Sequence, residues 1–208
     1  MNVTISVKNT IYYLLGCLAI ALGVALVVRS ELGTSPYDTL HVAIYETTPL
    51  TIGQATVLVA LITTFMVMIL QRHYKYLFMA IPIFMVGAFI DLFDVVLLKN
   101  FYPDAFMIKV MLFLSSLLLL PLGGALLILS TYPAGVFDEL MIALMRVFKT
   151  KHMIKLRILI DISFLLLALA LTLSINRNIG SLQIGTFIFI VSIGPLLKQY
   201  LKLFRRQL

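Results

Sequence analysis

Charge is scarce in this sequence: Asp, Glu, Lys and Arg make up 12% of its 208 residues, while 62% are hydrophobic. A soluble domain carries about 25% charged and about 45–50% apolar residues. Folded in water, a chain of this length still exposes a large outer shell, so the apolar excess excludes a water-soluble single domain and implies lipid as the solvent. Cysteine is nearly absent as well. Cys17 stands alone, which excludes a disulfide framework and cysteine-rich zinc spacing. Its place inside an apolar run marks it as a small packing residue. The three histidines, His41, His73 and His152, are dispersed, which argues against a metal site. No G-x-S-x-G, H-E-x-x-H, Walker A or G-x-G-x-x-G element occurs, so no enzyme is expected and no cofactor is implied. Linkers and low-complexity segments are missing too, and residues 1–208 read as a single membrane domain.

What the sequence does contain is long apolar runs. A spanning helix needs roughly 20 mostly apolar residues. Six segments qualify, at about 10–29, 52–70, 77–98, 107–129, 154–175 and 182–203. Two partly apolar stretches, about 35–47 and 135–148, are too short to span and read as short helices, either interfacial or re-entrant. The first run is too long for the h-region of a signal peptide, roughly 7–15 residues. Cleavage at the lipoprotein-like Leu14-Leu15-Gly16-Cys17 would destroy the first span, so neither form of processing is expected.

The net charge of +7 would suggest nucleic acid in a soluble protein. Here Lys and Arg cluster between apolar runs, and membrane topology accounts for them. With six spans, twelve of the sixteen basic residues fall on the side that holds the N-terminus, including Arg146, Lys149, Lys151, Lys155 and Arg157 in one loop. That side is expected to be cytoplasmic, with both termini inside. If either short segment crossed the bilayer, every later loop would change sides and the segregation would be lost.

Shifting the chain by 100 residues aligns Leu22-Gly23 with Leu122-Gly123, Ser30 with Ser130, and Asp38 with Asp138, giving 8 identities over residues 22–47. Roughly two or three would arise by chance in so Leu- and Ala-rich a chain. Each copy, about 10–98 and 107–203, holds three spans. An odd number forces the second copy to enter from the opposite side, so the expected fold is an all-α polytopic bundle of two inverted three-helix repeats, each with a short non-spanning helix.

The sharpest local motif is Leu32-Gly33-Thr34-Ser35-Pro36-Tyr37-Asp38. Ser35 suits an N-cap, Pro36 the first helical position and Asp38 the third, while Gly33 permits a tight turn. Pro133-Ala134-Gly135-Val136-Phe137-Asp138 repeats the pattern with Gly135 at the cap. Two readings stand side by side. Asp38 and Asp138 cap short helices, or the two half-helix N-termini line a central cavity from opposite sides. Aspartates there offset the positive helix ends, which leaves proton or cation coupling as plausible as an anion site. Asp91 and Asp94 stand at i, i+3 on the third span, Asp91 deeper and facing bundle or cavity, Asp94 toward water. An aspartate at a helix centre costs about 2.5–3.5 kcal/mol on insertion scales. Asp161 follows Arg157 by one turn and is either a local ion pair or a pathway residue. Arg29, Glu31, His41 and Glu46 are expected at a solvated outer surface, and His41 also qualifies as a pH-responsive group. Gly16, Ala19, Gly23 and Gly123-Gly124 supply small packing faces. Gly87 and Gly194-Pro195 read as kinks or hinges.

Ala21-Leu22-Gly23-Val24-Ala25-Leu26 with Glu31-Leu32-Gly33-Thr34-Ser35-Pro36-Tyr37-Asp38-Thr39-Leu40 resembles the bacterial YczE/YyaS/YitT group of membrane proteins, most closely its YczE-like branch. Thr51-Ile52-Gly53-Gln54, Val86-Gly87-Ala88-Phe89-Ile90-Asp91-Leu92-Phe93 and the segment from Gly185-Thr186-Phe187 to Gly194-Pro195 look like its further landmarks, so the resemblance covers nearly the whole chain. In the second copy Tyr132-Pro133-Ala134 departs from the usual acidic-Leu-Gly pattern. The resemblance implies a bacterial plasma-membrane protein, permease-like, and supplies neither a substrate nor a catalytic residue. The expected function is therefore a small permease with its site at the repeat interface, carried by Ser35, Asp38, Asp91, Asp138 and Asp161. The alternative is a non-transporting binding or assembly subunit. The expected partners are the lipid bilayer and either a small-molecule or ion substrate, a second copy, or a partner subunit; none is nucleic acid. Cysteines placed near Thr34 and near Ala134 should label from opposite sides of the membrane; labelling of both from one side excludes the inverted arrangement.

Overall fold

The computed structural model describes residues 6–130, 132, 135–150, 152–175 and 182–205, without the side chains of residues 74, 75, 138, 153, 154 and 205. All regular structure among them is helical: α1 (Val7–Ser30), α2 (Pro36–Thr47), α3 (Ile52–Gln71), α4 (Ala80–Asp91), α5 (Phe106–Leu129), α6 (Val136–Val147), α7 (Met153–Ile175) and α8 (Ile184–Arg205). A 3₁₀ segment (Tyr74–Met79) leads into α4, and a π-helical segment (Leu92–Leu97) continues it. Six helices are long and apolar enough to cross a membrane: Val7–Ser30, Ile52–Gln71, Tyr76–Leu97, Phe106–Leu129, Lys155–Ile175 and Ile184–Phe204. Their outward faces carry large apolar side chains such as Phe65, Ile69, Phe84, Leu166 and Val191, all more than half exposed. That exposure suits contact with lipid. The six expected spans and both short helices are thus present, with ends displaced by a few residues.

The packing has a reciprocal form. Helix α1 lies along α5, α1 also meets α4, and α5 meets α8. Short helix α2 packs on α7, and short helix α6 packs on α3. The α1–α5 crossing depends on small residues. A Cβ on Gly23 would meet Leu120 Cγ at 2.9 Å, and one on Gly123 would meet Ile20 Cγ1 at 2.6 Å. Positions 20 and 120, and 23 and 123, therefore exchange partners across the contact. A Cβ on Gly16 would meet the Gly123 carbonyl oxygen at 3.0 Å, so the two backbones pass closely here. Contact this close is how helices associate in lipid, where packing replaces the hydrophobic drive.

The ends of these two helices also behave alike. Ser30 donates from Oγ to the Val27 carbonyl at 2.6 Å, and Ser130 donates to the Leu127 carbonyl at 2.6 Å. Each serine oxygen then accepts from the backbone N–H two residues on, Leu32 at 3.4 Å and Tyr132 at 3.3 Å. Both serines are fully buried, so each satisfies a helix end that water does not reach. Beyond α1 the chain turns at Gly33, whose φ of +110° only glycine adopts without strain. The turn lies against the start of α8, where the Gly185 N–H donates to the Leu32 carbonyl at 2.9 Å.

Two expectations are corrected by the packing. Gly87 is a contact point and not a hinge, because a Cβ on Gly53 would meet its carbonyl at 2.2 Å. Gly194 has no atom within 4 Å of its Cβ position, so the two glycines are not equivalent. Asp91 and Asp94 do not share a face. The π-helical segment begins between them and widens the turn, sending Asp91 toward α3 and Asp94 toward α1.

Gly123 and Gly124 provide a paired test. Gly123→Ala should destabilise the purified protein by about 1–3 kcal/mol, because backbone atoms of α1 occupy the new methyl's place. Gly124→Ala should be nearly neutral, its closest neighbour being Leu197 Cδ1 at 3.6 Å. Thermal unfolding in detergent measures both.

Candidate functional site

The starts of α2 and α6 converge on one central cavity of about 240 Å³. Ser35, Pro36, Tyr37 and Asp38 line it from one side, Gly135, Val136 and Phe137 from another. Tyr37 and Phe137, 100 positions apart, meet at 5.2 Å between ring centroids, and Phe164 of α7 closes the cluster at 5.2 Å from Tyr37. Ile20, Val24 and Leu120 from the α1–α5 crossing form an apolar wall, and α7 adds Arg157 and Asp161.

Local sequence builds the α2 corner. Ser35 is the N-cap and accepts from the Asp38 N–H at 3.2 Å, with Pro36 at the first helical position. In return Ser35 Oγ donates to Asp38 Oδ2 at 2.5 Å. The other carboxylate oxygen faces His41 Nδ1 at 3.4 Å, one turn along the helix. Thr56 of α3 holds the same ring nitrogen at 3.3 Å. The cap itself is therefore Ser35, while Asp38 holds the capping hydroxyl and lines the cavity. At α6, Gly135 is the N-cap and contributes no side-chain bond. Asp138 stands in α6, but its side chain lies outside the described residues.

Asp161 is buried in the cavity wall, at 8% exposure. The charge of Arg157 acts on it, while the guanidinium lies over the Phe137 ring at 5.5 Å from its centroid. Asp91 lines no described cavity. Its Oδ1 accepts from the Gly53 N–H at 2.9 Å and its Oδ2 from the Thr51 hydroxyl at 2.7 Å. Thr51 and Gln54 form a capping box at the same helix start. Asp91 is thus the anchor of the α3 N-terminus, where a carboxylate is favoured by free N–H groups and the helix dipole.

Of the outer residues, Glu31 and Glu46 are exposed as expected, whereas Arg29 is half-buried. Arg29 pairs with Asp94 at 2.8 Å and donates from Nη2 to its backbone carbonyl at 3.0 Å. Asp94 is buried at 5% exposure, because this pairing holds it against α1 and not toward water. Glu31 pairs with Lys109. With Glu46, Asp104 and Tyr102 these groups line a second, polar cavity of about 290 Å³. Glu46 is exposed, and partial desolvation of its carboxyl raises its pKa. The apolar cluster of Ala21, Val24, Ile52 and Ile90 lies where the two cavities approach one another: Val24 and Ile90 line the central one and Ile52 the outer one.

His41 departs furthest from expectation. It is fully buried in the central cavity wall and not at a solvated surface. Histidine is a common surface residue, and the neighbours that bury it, Thr56 and Tyr37, come from another helix and the preceding turn. Helical spacing could have located it, since residue 41 stands three beyond Asp38 on the same face. Arg157 was legible only as a partner for Asp161, and the Tyr37–Phe137 contact only through the 100-residue shift. No group of three or more His, Cys, Asp or Glu able to hold a metal occurs among the described residues.

Fold and site together define a multi-pass, all-helical membrane protein with a cavity between the starts of two short helices. Residues 7–202 match a family of unknown function (DUF6198), and the chain belongs to that family. It is 30% identical over 195 residues to the protein printed as "Uncharacterized protein YyaS" of Bacillus subtilis (strain 168), covering 94% of this chain and 93% of that one. The "Uncharacterized membrane protein YczE" of the same organism is 26% identical over 87 residues, 41% of this chain and 40% of that protein. No solved structure matches the chain.

Replacing Asp91 by Ala leaves the Gly53 N–H and the Thr51 hydroxyl without their acceptor. The expected loss is about 1.5–3 kcal/mol of stability, the range for hydrogen bonds to a charged group. The thermal unfolding temperature in detergent should fall accordingly.

Proposed function

We propose that this protein is a small permease of the bacterial plasma membrane, with its substrate site in the central cavity, at the interface of two inverted three-span repeats. Both termini lie in the cytoplasm on this reading. No catalytic role is assigned. The observation that carries it is the meeting of Tyr37 and Phe137 over one cavity, each at the start of a short helix and 100 residues apart.

Three further features support the reading. The two short helices match in length and offset, Pro36–Thr47 and Val136–Val147. Their packing is crossed, α2 on α7 and α6 on α3, as a pseudo-two-fold axis in the membrane plane requires. Half-helix starts at a repeat interface are the usual place for a transporter's substrate and coupling ions. The polar outer cavity then serves as the entrance, and the Val24, Ile52 and Ile90 cluster as the barrier between the compartments.

Proteoliposomes carrying the wild-type chain should pass a small solute or protons, and Gly124→Leu, which fills the cavity, should stop that flux without loss of folded protein. Absence of flux across a panel of alkylamines, carboxylates and monovalent ions would defeat the proposal.

A further inference from the structure

His41 Nε2 is fully buried and has no hydrogen-bond partner among the described residues. The bonds around the ring determine what kind of partner it lacks. Thr56 spends its hydroxyl hydrogen on the Ile52 carbonyl at 2.9 Å, so toward His41 its oxygen can only accept. The other neighbour of Nδ1, the Asp38 carboxylate, also accepts. Nδ1 must therefore carry the hydrogen, and in the neutral ring Nε2 is a bare lone pair. A buried acceptor without a donor costs about as much as a lost hydrogen bond, so the missing group is an N–H or O–H.

The charges at the cavity narrow the choice. Asp38 and Asp161 bring two negative charges and Arg157 one positive, among the described lining side chains. These three leave the lining one charge negative before His41 is counted, in largely apolar surroundings where imbalance is expensive. The positive start of α2 is already answered by Asp38. A volume of about 240 Å³ lies below the roughly 300–1,000 Å³ of drug-sized sites, so the occupant is small.

We infer that the central cavity binds a small organic cation with N–H donors on an apolar body, an alkylammonium ion, donating to His41 Nε2 and paired with the Asp161 carboxylate. This rests on the cavity being the substrate site, as proposed above, and names the class of substrate.

The test is calorimetric titration of the full-length protein in lipid nanodiscs with four probes: n-butylammonium, butyltrimethylammonium, butyrate and 1-butanol. Butylammonium should bind best, and butyltrimethylammonium, which has the charge but no donor, about tenfold or more weakly. Asp161→Asn should weaken butylammonium by a similar factor. His41→Asn keeps a polar group where Nδ1 stood and removes Nε2. It should weaken butylammonium about tenfold and leave butyltrimethylammonium unchanged, and His41→Gln, which restores an acceptor near Nε2, should recover part of the loss. Preference for butyrate, equal binding of the two cations, or no binding of any probe overturns the inference. The comparison of the two cations needs no variant and stands if a variant misfolds. Butylammonium binding without flux defeats the permease reading alone, whereas flux of another solute without butylammonium binding defeats this inference alone.

Discussion

Every helix start leaves backbone N–H groups without partners, and in a body surrounded by lipid no water is at hand to take them. This constraint shapes the molecule at its three internal helix starts. At α2 it is met by Ser35, whose hydroxyl Asp38 holds, and at α3 by Thr51, Gln54 and Asp91, while at α6 the cap is a glycine that offers no side chain. The first two starts consume the carboxylates that a hydropathy profile would single out as functional. Asp91 is fully engaged by its two donors. Asp38 also meets two groups, Ser35 Oγ and His41 Nδ1, but it lines the central cavity. What separates the structural aspartate from the cavity aspartate is thus where its carboxylate is held, and not its depth in the span.

The second requirement is closeness. Short helices can meet at the centre only if the spans around them cross without bulk, and Gly16, Gly23 and Gly123 make this crossing. The exchange of partners between positions 20 and 123 on one side, and 120 and 23 on the other, fixes how α1 and α5 face each other. Tyr37 and Phe137 follow from it, because each stands at the start of the short helix that leaves these spans. The cavity is the space left between that aromatic contact and the apolar wall of the crossing.

Much of this frame was legible in the order of residues. Apolar run length locates all six spans, and Ser35-Pro36 locates the start of α2, because both signals are local. The 100-residue shift also foreshadows the matched bonds of Ser30 and Ser130. Less legible were groups whose role depends on a neighbour from a distant segment. Asp94 reads as a water-facing residue until Arg29 is seen against it, and Asp91 as a cavity residue until Gly53 is. The π-helical segment, which turns these two aspartates apart, has no periodicity signal in so uniformly apolar a run.

The matched frame carries unmatched chemistry. One hundred residues beyond His41 and Thr56 stand Met141 and Leu156, and one hundred before Arg157 and Asp161 stand Val57 and Leu61. Each half contributes polar groups where the other is apolar. The histidine and threonine come from α2 and α3, the arginine and aspartate from α7. A site with equivalent halves would present the same groups to both faces of the membrane and hold a symmetric occupant best. This one sets an imidazole and a hydroxyl on one side against a carboxylate with a guanidinium on the other. On the proposed reading an occupant is held in one orientation, its donors spread between His41 and Asp161 and its apolar part against Ile20, Val24 and Leu120. The proposed repeat would then supply the enclosure, and departures from it in four side chains the selectivity.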